Sequence, residues 1–114
     1  MEWTANYHGP TPHLLDPARY PTRDQRRNFY KAYITHANPS IPEAEREERM
    51  NILERQVRLW SPASHGMWAV WGLVQAKDTL GLDDGGDPEF DYLGYARCRF
   101  EGFQRSFKDL GLSD

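Results

Sequence analysis

A chain of 114 residues, 39% hydrophobic and 27% charged, carries enough apolar side chains for one modest core and too many for a disordered segment. Its net charge of -3 gives no general attraction to nucleic acid or anionic lipid, and no run reaches the roughly 18 consecutive apolar residues of a membrane span. Cys98 is the only cysteine, which excludes an intrachain disulfide and a cysteine zinc cluster and suits a reducing, cytoplasmic compartment.

The N-terminal MEWTANYHGP lacks the basic start and apolar stretch of a secretion signal. Residues 8 to 21, HGPTPHLLDPARYP, hold four prolines, so residues 1–21 are expected to form an extended arm whose Leu14 and Leu15 need a surface to pack against. Thr22 and Gln25 have capping-box spacing and open a helix over 23–37, with Phe29, Tyr30, Tyr33 and Ile34 as its apolar side chains. Asn38-Pro39 stops it. Ser40 and Glu43 repeat the box for a helix over 41–60, striped by Met50, Leu53, Val57 and Trp60 and laced by Glu45–Arg49 and Glu54–Arg58 pairs.

Ser61-Pro62 reads as a further cap and first turn, opening a third helix to 78. TLGLDDGGD, residues 79 to 87, reads as a flexible connection. Asp87-Pro88 then starts a last helix to about 108, striped by Leu93, Ala96, Phe100, Phe103 and Phe107. Gly94 and Gly102 inside it cost helix propensity but permit close helix approach, and Gly111 ends it. The expected class is all-α, with about four helices after a proline-rich arm and no strand.

Motifs for chemistry are sparse. There is no G-x-S-x-G, no G-x-x-x-x-G-K loop and no H-E-x-x-H. None of His8, His13, His36 and His65 lies four residues from another, and the carboxylates of 43–54 alternate with arginines as on a solvated helix face. The acidic run at Asp83, Asp84 and Asp87 lacks the ligand alternation and terminal glutamate of a calcium loop. What remains is aromatic. Trp68 and Trp71 share a helix face, which by itself reads as core packing. The alternative is an aromatic box for an organic ammonium, with Tyr92, Tyr95 and Tyr7 as further walls. Spacing leaves both open.

Three blocks, EWTANYHGPTPHLLDPARYPT, SHGMWAVWGLVQAK and EFDYLGYARCRF, resemble in order and register the C-terminal segments of the choline/ethanolamine kinase family. The resemblance covers essentially the whole chain. It implies a protein-kinase-like fold, of which residues 1–114 are the C-terminal helical part of the large lobe, 1–21 as arm and 22–114 as helices. It implies ATP- and Mg²⁺-dependent phosphorylation of an amino alcohol, choline or ethanolamine, on the way to phosphatidylcholine or phosphatidylethanolamine. It places substrate-pocket aromatics at Tyr7, Trp68, Trp71, Phe90 and Tyr95, puts Leu14 where choline kinases tend to be aromatic, and sets Glu2 near the pocket mouth.

The family's phosphate-binding loop, H-x-D catalytic segment and Mg²⁺-binding I-D-x-E segment have no counterpart in these 114 residues. Met1 falls where the family has the cysteine before E-W, so the expectation is a piece of the large lobe, without catalytic residues or a cofactor site and inactive alone. Gly94 before Tyr95, and Leu14 in place of an aromatic, resemble ethanolamine kinases more than choline kinases. Two readings compete: a non-catalytic helical interaction module whose aromatics are all core, and a remnant with exposed apolar surface.

Overall fold

The structure, a computed structural model, describes residues 9–80 and 90–111, with backbone only for 78–80. Three α-helices follow a single 3-10 turn at Pro17–Arg19: α1 spans Arg23–Ala37, α2 Glu43–Leu80 and α3 Tyr92–Asp109. The described residues contain no strand, and the class is all-α. At ~1.5 Å per residue, the 38 residues of α2 reach about 57 Å, nearly the 60 Å long axis of the molecule. The other two helices pack along this rod, α1 on its N-terminal half and α3 on its C-terminal half.

The first helix forms as its sequence dictates. Thr22 Oγ1 accepts from the Gln25 amide at 3.3 Å and the Gln25 side chain accepts from the Thr22 amide at 2.9 Å, closing the capping box. Thr22→Ala is expected to lower unfolding free energy by about 1 kcal/mol. Chemical denaturation reads this, and a variant as stable as wild type would contradict it. The arm is less extended than its prolines imply, because Asp16 caps the 3-10 turn by accepting from the Ala18 amide.

Among the described residues three helices stand where the sequence points to four. Pro62 lies inside α2 rather than at the start of a new helix. An interior proline costs a helix about 3 kcal/mol through a lost hydrogen bond and a clash with the preceding turn. Here the flanks hold the helix together: Pro62 is buried, and with Ala63, Phe103 and Phe107 it lines a cleft against α3. The cap-and-proline signal is therefore overridden by tertiary packing.

Other local signals also shift. Ser40 turns its hydroxyl to the Asn38 side chain at 3.2 Å rather than boxing Glu43, and α2 begins at Glu43. The last helix starts at Tyr92, because Asp91 Oδ1 accepts from the Gly94 amide at 2.8 Å and so supplies the cap. Asp87-Pro88 and most of the glycine-rich connection lie outside the described residues. Glu54 does not pair with Arg58; it crosses to α1 and takes a two-pronged contact from Arg26, with Nε to its oxygens at 3.0 and 3.2 Å. Arg58 instead donates to the Asp109 carbonyl at 2.9 Å, while Glu45–Arg49 pairs as the spacing expects.

Two small cores result. One gathers Tyr30, Ile34, Ile41 and Met50, flanked by Leu53 and Val57. Arg26 closes its rim, donating to the Pro21 carbonyl at 2.7 Å and tying the arm to α1. The other lies where α2 packs on α3, with Ala69 and Ala76 of α2 and Tyr95 and Ala96 of α3 buried. Gly72 lets these helices meet closely, since a Cβ there would stand 3.0 Å from Ala96 Cβ. Trp60, expected in the α2 stripe, is instead 67% exposed, and Leu93 and Phe100 of the α3 stripe are exposed too. Met67, Val70, Leu73 and Val74 are likewise open, so the C-terminal half of α2 is apolar on several sides. That pattern belongs to a helix buried within a larger body.

Candidate functional site

Trp71 of α2 meets Tyr92 and Tyr95 at the start of α3, with Trp68 against it on its own helix and Phe90, just before α3, against the two tyrosines. Trp71 is the hub: its ring lies 5.5 Å from Trp68 at 80°, 5.8 Å from Tyr92 at 75° and 6.1 Å from Tyr95 at 86°. Phe90 closes the group, 4.9 Å from Tyr92 and 5.7 Å from Tyr95. The edge-to-face contacts among them point the positive rim of one ring at the negative face of the next. Trp71 remains 41% exposed, so the cluster is an open aromatic wall rather than a sealed core.

Four of the residues expected at a substrate pocket, Trp68, Trp71, Phe90 and Tyr95, are thus brought together. Leu14 is 45% exposed and sits on the arm where it meets α3. Its neighbours hold it there: the Leu15 amide donates to Cys98 Sγ at 3.4 Å, and His13 Nε2 is 3.8 Å from Asp91 Oδ2. Tyr7 and Glu2 lie outside the described residues. Gly94 has a local reason to be glycine, since a Cβ there would run into the Asp91 carboxylate and come within 3.1 Å of the His13 ring.

The site also contains residues that sequence reasoning passed over. Arg99, 1% exposed, places its guanidinium 5.3 Å over the Tyr95 ring and donates from Nε to the Tyr95 hydroxyl at 3.1 Å. Its Nη1 meets His65 Nδ1 at 3.2 Å. One hint was present, the i,i+4 spacing of Tyr95 and Arg99 on a helix. Yet Arg97, two positions away, is exposed and merely pairs with Glu101 at 3.4 Å. A lone sequence does not separate the two arginines. Tyr92, named among possible walls but not among the pocket residues, contacts both Trp71 and Phe90.

Among the described residues the acidic side chains do not fit a magnesium–nucleotide site. The carboxylates of Glu43, Glu45, Glu47 and Glu54 are each committed to an arginine, and among the described residues no three His, Cys, Asp or Glu side chains gather around a cation position. None of the described helices is long and apolar enough to cross a membrane.

Residues 1–104 match the sequence pattern of the family described as choline/ethanolamine kinase. The chain is similar to "Probable choline kinase 3" of Arabidopsis thaliana, 35% identical over 102 residues, covering 90% of this chain and 26% of that protein. It is similar to the "Choline/ethanolamine kinase" of Homo sapiens, 31% identical with 88% and 25% covered, and to "Ethanolamine kinase 1" of Homo sapiens, 33% identical with 78% and 19% covered. The chain spans about a quarter of the length of the curated relatives it matches.

Proposed function

Since the chain belongs to the choline/ethanolamine kinase family, we propose that it supplies part of the acceptor side of an ATP-dependent amino-alcohol kinase, with ethanolamine the preferred acceptor. The observation that carries this is the wall of Trp68, Trp71, Phe90, Tyr92 and Tyr95 built across α2 and α3. An organic ammonium over an indole face gains about 0.5–2 kcal/mol, more once desolvated. Tyr7 and Glu2 belong to the same reading through the family resemblance, Tyr7 as a substrate-pocket aromatic and Glu2 near the pocket mouth.

The lean to ethanolamine rests on Leu14, an aliphatic side chain where an aromatic face would favour trimethylammonium. A primary ammonium is bound more by hydrogen-bond acceptors than by rings. Gly94 carries less weight, because Asp91 and His13 already fill the space a side chain would need. A cytoplasmic setting is part of this reading, the lone Cys98 suiting a reducing compartment. ATP and Mg²⁺ would be held by residues other than those described.

Tryptophan fluorescence of the 114-residue chain, titrated with ethanolamine and with choline, tests the proposal. Saturable quenching at millimolar ligand is expected, tighter for ethanolamine and abolished by Trp71→Leu, with no phosphorylated product when ATP and Mg²⁺ are added. No response to either ligand, with the chain cooperatively folded, would favour the helical interaction module. A tighter response to choline would reverse the preference, and product formation by the chain alone would overturn its assignment as the acceptor side only.

A further inference from the structure

We infer that His65, Arg99 and Tyr95 form a brace that sets the position of the Trp71 wall, with Arg99 as its positioning residue. The inference rests on the acceptor-wall reading above and adds what holds that wall in place.

The linkage begins at Gly102 of α3. A Cβ there would stand 2.9 Å from His65 Nδ1 and 3.0 Å from its Cε1, so the missing side chain is what admits the His65 ring between α2 and α3. His65 Nδ1 then meets Arg99 Nη1 at 3.2 Å. A guanidinium has donors only, so Nδ1 accepts and His65 carries its proton on Nε2. From the same fork, Arg99 Nε donates to the Tyr95 hydroxyl while the guanidinium plane covers the Tyr95 ring. Tyr95 in turn meets the Trp71 ring near perpendicular. Two donors of one planar group thus tie α2, through His65, to the ring against which Trp71 rests.

Burial makes the arrangement specific. Arg99 and Tyr95 are 1% and 2% exposed, so neither drifts in solvent, and each polar atom must find its partner inside. Lysine has no rigid fork with which to bridge two acceptors in fixed directions. The brace also decides how Tyr95 serves the wall. Because the guanidinium already lies over its ring, Tyr95 acts as backing for Trp71 rather than as a face for a second cation.

The test compares wild type with Arg99→Met and His65→Gln, reading far-ultraviolet circular dichroism, the NMR signals of the Trp71 indole and Tyr95 ring without ligand, and ethanolamine affinity. Arg99→Met is expected to keep its helicity, to shift and broaden both ring signals, and to weaken ethanolamine binding by about tenfold or more, as for a lost charge-assisted hydrogen bond. His65→Gln, which keeps an acceptor for Arg99 but in a different position, is expected to shift both ring signals and to lose less affinity than Arg99→Met. Wild-type ring signals and affinity in Arg99→Met would overturn the inference. If Arg99→Met does not fold, wild type decides: distinct signals for the two edges of a slowly flipping Tyr95 support the brace, and averaged signals overturn it. If wild type binds neither ethanolamine nor choline, the acceptor reading fails, while the ligand-free ring signals still decide whether the brace exists.

Discussion

Tyr30→Ala is expected to cost about 3–5 kcal/mol, the loss that follows from emptying a large buried aromatic site. Tyr30 is 1% exposed and central to the α1-side core, touching Phe29 edge-on at 6.2 Å and packed with Ile34, Ile41 and Met50. Hydrogen exchange should show α1 losing protection while α3 and the C-terminal half of α2 keep theirs, because the second core shares none of these side chains. A loss below about 1 kcal/mol, or simultaneous loss of protection along the chain, would contradict this division. The same residue sets an alkaline limit. Burial, and after it the Glu54 carboxylate beside the hydroxyl, pushes the Tyr30 phenol up to about 12 from an ordinary 10.0. The folded state therefore favours the neutral phenol. The stability this gives is complete below pH 10 and is lost as pH rises from 10 towards 12. Tyr30→Phe should remove that alkaline loss while preserving the aromatic packing.

Gly72→Val is expected to cost about 1–3 kcal/mol by overpacking, more than the gain in helix propensity on replacing glycine returns. A Cβ at this position stands 3.0 Å from Ala96 Cβ, 3.1 Å from Tyr95 Cδ1 and 3.2 Å from Ala96 Cα. Two of these atoms belong to short or backbone groups, and the third belongs to a ring held by Arg99, so α2 and α3 have to separate. Separation moves Trp71, the preceding residue, away from Tyr95 and Tyr92. Denaturation and ethanolamine titration should therefore fail together. A stable variant with normal affinity would show that the close approach at Gly72 does not position the wall.

Much of this was legible in the sequence where the controlling interactions are local. The α1 boundaries follow from Thr22, Gln25 and Asn38, residues that act within one turn of themselves. The helix break at Ser61-Pro62 misled because its outcome depends on Phe103 and Phe107, more than forty positions away. Glu54 had Arg58 in reach of its i,i+4 spacing, and only packing of α1 on α2 brings Arg26, 28 positions away, to it instead. Exposure of Trp60, Leu93 and Phe100 was likewise hidden, since an apolar stripe shows that a helix has a face to bury and not what buries it.

The candidate site divides similarly. Trp68 and Trp71 were visible as a pair, but spacing could not say whether rings from Phe90, Tyr92 and Tyr95 would converge on them. The structure joins them through Trp71. Arg99 was the residue least available to sequence reasoning, because an arginine in a helix reads as solvated until its neighbours are known. The family resemblance rested on blocks rather than single residues, which is why it survived the errors in helix count and boundaries.

The most direct measurement is residue-resolved NMR of the aromatic side chains as ethanolamine is added, against an equal ionic strength of sodium chloride. Trp60 serves as an internal control, being on the same helix as Trp68 and Trp71 and openly exposed. The acceptor-wall account predicts saturable shifts at Trp68, Trp71 and Phe90 with Trp60 unmoved. Equal shifts at Trp60 and Trp71, or none at any of them at millimolar ethanolamine, would contradict it.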